Sequence, residues 1–191
     1  MPRPNLREKL LSAGLATLHA RGFNATSVQE ITDAAGAPKG SFYNHFASKD
    51  DLGAAAVEEY AARSAARLRV FEDASLPPLA RLRRHFESLI EAGRFPDTPG
   101  CLLGNFAAEL SLQSPAIRAR VAAALASWSE AVARLLDEAR RAGALPPDSD
   151  PAALAAFVVD AWEGALLRAK VAGTRAPLDA FLEIIFAKVL A

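Results

Sequence analysis

Thr26-Ser27-Val28-Gln29-Glu30-Ile31-Thr32-Asp33-Ala34-Ala35-Gly36-Ala37-Pro38-Lys39-Gly40-Ser41-Phe42-Tyr43-Asn44-His45-Phe46-Ala47-Ser48-Lys49-Asp50-Asp51-Leu52 is the stretch that decides the fold. Ser27 followed three residues later by Glu30 is a capping box, and Val28, Ile31, Ala34 and Ala35 then recur at helical spacing. Gly36 breaks that helix. Pro38 sits at the first turn of the next, where its missing N–H is no loss, and that helix is brief, about 38–45. Two short helices joined at Ala35-Gly36-Ala37 read as a helix-turn-helix, a motif whose second helix lies in a DNA major groove. The composition of the second helix suits that position. Lys39 supplies charge, Gly40 lets backbone come close, Ser41 is a short donor or acceptor, and Tyr43 and His45 end flat rings in hydrogen-bonding groups. Lys49 opens the following helix, and Thr26 and Ser27 offer hydroxyls and N–H groups to a phosphate. Phe42 and Phe46 read as core.

Outward from this stretch the punctuation is helical throughout. Before it, Leu6, Leu10, Leu11, Leu15 and Leu18 form one apolar stripe of a helix over about 5–21, closed by Gly22. After it, Ser48 with Asp51 caps a fourth helix reaching about residue 70, and Pro77-Pro78 precedes a fifth over 79–92. A sixth begins near Cys101. Ser114-Pro115 opens a seventh along the seam Ile117, Val121, Leu125, Trp128, Val132 and Leu135, which Gly143 and Pro146-Pro147 end. Asp150-Pro151 starts an eighth helix to about Ala172. The ninth, 178–190, is apolar on nearly every side, so it must be buried, and a partner subunit is the expected cover.

The composition agrees. The 191 residues include 43 alanines, the best helix former, which points to an all-α chain of about nine helices. A single cysteine, Cys101, excludes an intramolecular disulfide framework and a cysteine-built zinc site. The start leads into an amphipathic segment without a secretory apolar core, and no run approaches about 18 uncharged apolar residues. A soluble cytoplasmic protein is expected. Net charge is zero, but residues 1–49 hold six basic against three acidic side chains, an excess of +3 that leaves −3 for the remainder. That asymmetry hints at an anion-binding head on an acidic body.

The quoted stretch closely resembles the DNA-binding head of TetR-family transcriptional regulators. The match covers about residues 5–52 and includes Gly22-Phe23 and Tyr43-x-His45-Phe46; beyond it the chain is similar only in plan. The resemblance implies a head at 1–52, linked by the fourth helix (about 48–70) to a ligand-binding and dimerisation domain at 53–191. It implies that Lys39, Gly40, Ser41, Tyr43, Asn44 and His45 face a double-stranded operator and that Thr26, Ser27 and Lys49 hold phosphates. Ala37-Pro38 departs from the more usual Val-Ser or Val-Pro and leaves the base preference open. Helices eight and nine would pack against their symmetry mates, with Trp162, Leu166, Phe181 and Ile185 as contacts. A two-fold homodimer would set the reading helices about 34–36 Å apart on a near-palindromic operator.

Gly100-Cys101-Leu102-Leu103-Gly104-Asn105-Phe106-Ala107-Ala108-Glu109 looks like the effector-domain motif of a TetR branch that includes repressors responding to electrophiles. Cys101 falls at the first turn of a helix, where N–H groups and the dipole favour thiolate, and Asn105 and Glu109 follow one and two turns on. Cys101 reads either as a reactive sensor or as a small buried hydrophobe, and Lys170 either as its cation or as a helix-end lysine. Phe106 and Trp128 complete the candidate ligand-sensing set for a small-molecule or electrophilic inducer. His19 and His85 read as surface or packing residues. An enzyme is the rival class, but there is no His-Glu-x-x-His, Gly-x-x-x-x-Gly-Lys or strand-bound Gly-x-Gly-x-x-Gly, and neither metal nor other cofactor is expected. A helical protein-binding adaptor would share the dimer helices while giving no reason for Lys39-Gly40-Ser41 and Tyr43-x-His45.

Overall fold

The computed structural model describes residues 5–191; Arg3, counted in the basic excess, lies outside the described residues. Among these, nine α-helices and no strand are found: α1 Leu6–Arg21, α2 Val28–Ala34, α3 Lys39–Phe42, α4 Lys49–Ala65, α5 Pro78–Ala92, α6 Leu102–Leu110, α7 Pro115–Arg141, α8 Pro151–Ala172 and α9 Ala176–Ile184. A tighter 3₁₀ segment, Ala66–Glu72, continues α4, and a wider π turn, Ile185–Val189, continues α9. The breaks fall where the local chemistry places them. Asn5 and Glu8 form a capping box before α1, and Ser27 and Glu30 form the expected one before α2. The Asp150 carboxylate accepts from the Ala152 and Ala153 amides ahead of α8. The third helix is shorter than expected. Regular helix stops at Phe42, and residues 43–45 form a turn tied by His45 N–H to Phe42 O at 2.9 Å.

The chain divides into two compact units, residues up to Arg63 with Cys101–Ala124, and Ser64–Gly100 with Leu125–Ala191. Here α6 and the start of α7 join the helix-turn-helix unit. In that unit α1 packs on α2 and α2 on α3. Leu10, Leu15, Leu18, Ile31, Phe42, Phe46 and Leu52 are buried among its helices. Gly36 takes the left-handed conformation, φ 64°, that turns the chain from α2 towards α3.

The second unit is built on α8 packed against α9, with α5 beside them. Its core runs through Leu82, Phe86, Val132, Leu136, Val158, Trp162, Phe181 and Ile185. The α7 seam is as the spacing predicts: Ile117, Val121, Val132 and Leu135 are buried, and Leu125 and Trp128 half-buried. Trp162, Phe181 and Ile185 are 3%, 6% and 2% exposed and belong to this chain's own core, while half-buried Leu166 packs against it. The ninth helix buries its bulk within its own subunit because α8 supplies an equally apolar face. What α8 and α9 leave exposed is another set, Phe157, Leu167, Val171 and Ile184.

Candidate nucleic-acid interface and effector residues

The reading helix separates its side chains cleanly. Phe42 and Phe46 are buried at 0% and 1% exposure, their ring centroids 5.7 Å apart. Arg7 lies over Phe46 at 5.0 Å. Lys39, Gly40, Tyr43 and Asn44 are exposed, and Ser41 and His45 half-buried. Tyr43 rests its ring edge-on against Phe42 with centroids 5.2 Å apart and still keeps 57% exposure. A Cβ built on Gly40 would meet nothing within 4 Å, so no packing inside the chain requires a glycine there. The Ser41 hydroxyl donates to Pro38 O at 2.6 Å, within its own turn.

The three expected phosphate anchors are placed differently. Thr26 is buried at 1% exposure and its hydroxyl donates to Gly22 O at 2.7 Å. The Ser27 hydroxyl serves the α2 cap, accepting from Glu30 N–H at 3.2 Å and donating to the Glu30 carboxylate at 2.9 Å. Lys49 points inward: its ammonium donates to Phe23 O at 3.0 Å and Thr26 O at 2.9 Å and lies 4.3 Å from the Phe23 ring centroid. Thr26 and Lys49 thus hold the α1–α2 connection together, because the carbonyls of that connection lie outside both helices and need donors. Hydrogen bonds from the Ser27 main chain and hydroxyl, with Arg21 2.6 Å away, hold the Glu30 carboxyl below its ordinary range.

In the same unit, Cys101 is the N-cap of α6 and half-buried, and the Tyr60 hydroxyl donates to its Sγ at 3.8 Å. Tyr60, on α4, meets His19 of α1 edge-on at 5.4 Å. Sequence periodicity gave no signal for the Tyr60–Cys101 contact, which needs α4 and α6 side by side. Phe106 is buried, its ring 5.7 Å from that of Phe23. The Glu109 carboxylate accepts from Phe23 N–H at 3.3 Å and Asn24 N–H at 2.9 Å. Two residues expected to sense ligand, Phe106 and Glu109, therefore face the α1–α2 turn. Asn105 is half-buried on α6 between them and Cys101.

Trp128 lies in the second unit, as does Lys170, exposed on α8. Trp128 belongs to an aromatic nest with His85 (5.9 Å) and Phe86 (6.2 Å), and Phe71, Trp162 and Phe181 extend it. His85 is only 2% exposed, and burial pushes its pKa down to about 4; the main chain at Arg67 offsets part of this and its positive charge adds to it. Neither ring nitrogen of His85 nor the Trp128 indole nitrogen has a partner within hydrogen-bond geometry. Of the two readings of His85 in the sequence, surface or packing, it is the packing one that its burial fits. No group of His, Cys, Asp and Glu suited to a metal ion occurs among the described residues, and no helix among them is long and apolar enough to cross a membrane.

A helix-turn-helix carrying an exposed polar reading face, with a larger helical body, defines a DNA-binding regulator. Residues 10–58 match the model of bacterial regulatory proteins of the tetR family, and residues 78–185 match that of the tetracyclin repressor-like C-terminal domain. The chain belongs to the TetR family, and it is a ligand-responsive DNA-binding transcriptional regulator rather than an enzyme. It is 37% identical over 191 residues to the HTH-type transcriptional repressor DhaR of Mycobacterium sp. (strain GP1), covering 100% of this chain and 95% of that one. Over 177 residues it is 41% identical to the transcriptional regulator AcuR of Cereibacter sphaeroides, covering 91% and 80%. Among solved structures, a regulatory protein TetR from Rhodobacter sphaeroides superposes with a TM-score of 0.85 at 38% identity, covering 96% and 97%. Reduced NemR of Escherichia coli gives 0.85 at 26%, covering 94% of each chain. Regulators of this family bind DNA operators, typically as dimers that respond to small molecules.

Proposed function

We propose that this chain is a repressor that holds a near-palindromic operator as a homodimer and leaves it when a small molecule or an electrophile acts on the body. The observation that carries it is the partition of the reading helix. Phe42 and Phe46 are buried, while Lys39, Gly40 and Asn44 stay open, no packing inside the chain requires a glycine at 40, and Tyr43 keeps 57% exposure beyond its contact with Phe42. These four, with Ser41 and His45, are the proposed operator-facing set; Ser27 is retained for its main-chain N–H. The name of the Mycobacterium relative supports repression over activation. Phe157, Leu167, Val171 and Ile184 replace the core residues as proposed dimer contacts, since large apolar groups left exposed on α8 and α9 are what a second copy would cover.

Fluorescence anisotropy on the chain's own upstream intergenic DNA, titrated with salt, tests this reading. Binding that weakens steeply with salt and survives random competitor is expected, with Lys39→Ala lowering the salt slope by about one. Binding no tighter than to random DNA refutes it. Cys101, with Tyr60 against its sulfur, is the electrophile-responsive group. Derepression by N-ethylmaleimide is expected to vanish in Cys101→Ser, and an undiminished response refutes that role for Cys101.

A further inference from the structure

On the reading of the chain as an operator-binding repressor, we propose that Glu109 is a positioning residue for DNA recognition. Carried by α6, its carboxylate fixes the α1–α2 turn and thereby the pose of α2 and α3. The turn is a place where the backbone needs help. When α1 ends at Arg21, the Gly22 amide still closes onto Leu18 O at 2.9 Å, and the next amides point away from the helix. Glu109 takes two of them, Phe23 N–H and Asn24 N–H, from 86 and 85 residues along the chain. A carboxylate accepting two main-chain N–H groups makes charge-assisted bonds of a fixed direction, so the turn's orientation is tied to that of α6.

Gly22 is a second, separate sign that this contact is built. Its φ of 87° lies in the region that suits glycine, and a Cβ there would stand 2.7 Å from Glu109 Oε1. The missing side chain is the space through which the carboxylate reaches the turn. On the carbonyl side the same turn is held by Lys49, whose ammonium donates to Phe23 O and Thr26 O. The Phe106 ring of α6 meets the Phe23 ring edge-on. Amides, carbonyls and side chain of one short connection are thus each fixed, and two of the three fixings come from α6.

Two residues past the turn, Thr26 donates back to Gly22 O and Ser27 caps α2, whose end feeds α3 through Gly36. The pose of the reading helix is therefore set from α6. The other end of α6 is Cys101, in contact with Tyr60 of α4. A nine-residue helix is a stiff strut about 12 Å long. A change at Cys101 that shifts α6 is delivered to the turn by Glu109, without any ligand touching the head.

The test uses the full chain and three proteins: wild type, Glu109→Ala and Glu109→Gln. Anisotropy gives the ratio of Kd on random duplex to Kd on the chain's own upstream DNA. Glu109→Ala is expected to lower that ratio about tenfold, with random-duplex affinity, salt slope and helical circular dichroism unchanged. Glu109→Gln keeps one acceptor but turns an amide N–H₂ towards an N–H, and is expected to fall between the two. A ratio equal to wild type in Glu109→Ala overturns the proposal, since a purely structural role would lower both affinities together. Amide hydrogen exchange is the independent arm. Phe23 and Asn24 N–H are expected to be protected in wild type and to exchange at least tenfold faster in Glu109→Gln, with α5 amides unaltered; rapid exchange in wild type also overturns it. If wild type binds upstream and random DNA alike, the operator reading falls and Glu109 loses its role in recognition, whatever the exchange rates.

Discussion

Acid is expected to destabilise the second unit through one residue, His85. In the folded chain this imidazole is shut among Phe71, Phe86 and Trp128, so its charged form has lost water, a loss offset only in part by the main chain at Arg67. Its pKa lies at about 4 instead of the ordinary 6.5. The unfolded chain therefore takes up this proton first as pH falls below about 6.5, and stability drops until the folded form also binds it near pH 4. The gap between 6.5 and about 4, at about 1.4 kcal/mol per pH unit, amounts to about 3 kcal/mol. That is a large share of the roughly 5–15 kcal/mol that holds a domain together. Urea unfolding followed by tryptophan fluorescence suits the measurement, since Trp128 and Trp162 stand in the same nest. Wild type and His85→Phe are compared from pH 7.5 to 4.5. The carboxylates Glu30, Asp73 and Asp137, each held low by its hydrogen bonds, lose their contribution on acidification in both proteins alike and cancel in the difference. The variant is expected to lie within about 1.5 kcal/mol of wild type at pH 7.5 and to outlast it increasingly below pH 6. Parallel pH curves for the two proteins would refute the reasoning.

Other substitutions test other joints. Lys49→Met removes both bonds to the α1–α2 carbonyls and is expected to cost about 2 kcal/mol in urea unfolding; an unchanged midpoint would make Lys49 a free surface cation after all. Arg81 is 6% exposed, donates to Phe71 O and Leu76 O, and forks onto Glu138. Arg81→Ala is expected to cost about 3 kcal/mol, because Glu138 and two carbonyls lose their donors at once, and a loss under 1 kcal/mol counts against it. Phe157→Asp with Leu167→Glu is expected to convert a dimer into a folded monomer by sedimentation velocity, whereas Trp162→Ala should unfold the subunit.

Much of the fold was legible because its signals are local. The capping box Ser27–Glu30 and the breaks at Gly36, Pro115, Gly143 and Pro151 depend on neighbours within a few residues, and each appears where the spacing puts it. The partition of 39–46 was legible for the same reason: over a short helix and the turn after it, aromatic and polar side chains have few ways to sort. The anchors were not legible. Thr26 and Lys49 have the chemistry of phosphate ligands, but the carbonyls of the α1–α2 connection lie closer to hand. Glu109 has the chemistry of a ligand-binding carboxylate, and the amides it meets are 85 and 86 residues away.

The apolar residues of α8 and α9 show the same gap. That Trp162, Phe181 and Ile185 must be buried follows from their apolar surface, which water penalises whatever covers it. Burial is non-directional, so composition says nothing of whether the cover is α8 of the same subunit or another chain. By itself the sequence determined that the chain is helical and where its helices start and stop, because capping, periodicity and turn chemistry act over a few residues, while its resemblance to TetR-family regulators marked residues 26–52 as a DNA-reading head. Only the tertiary structure decided which apolar residues are core and which are left exposed, that α6 belongs with the head, and which polar side chains hold the head together, because those outcomes depend on which distant groups packing brings within bonding distance.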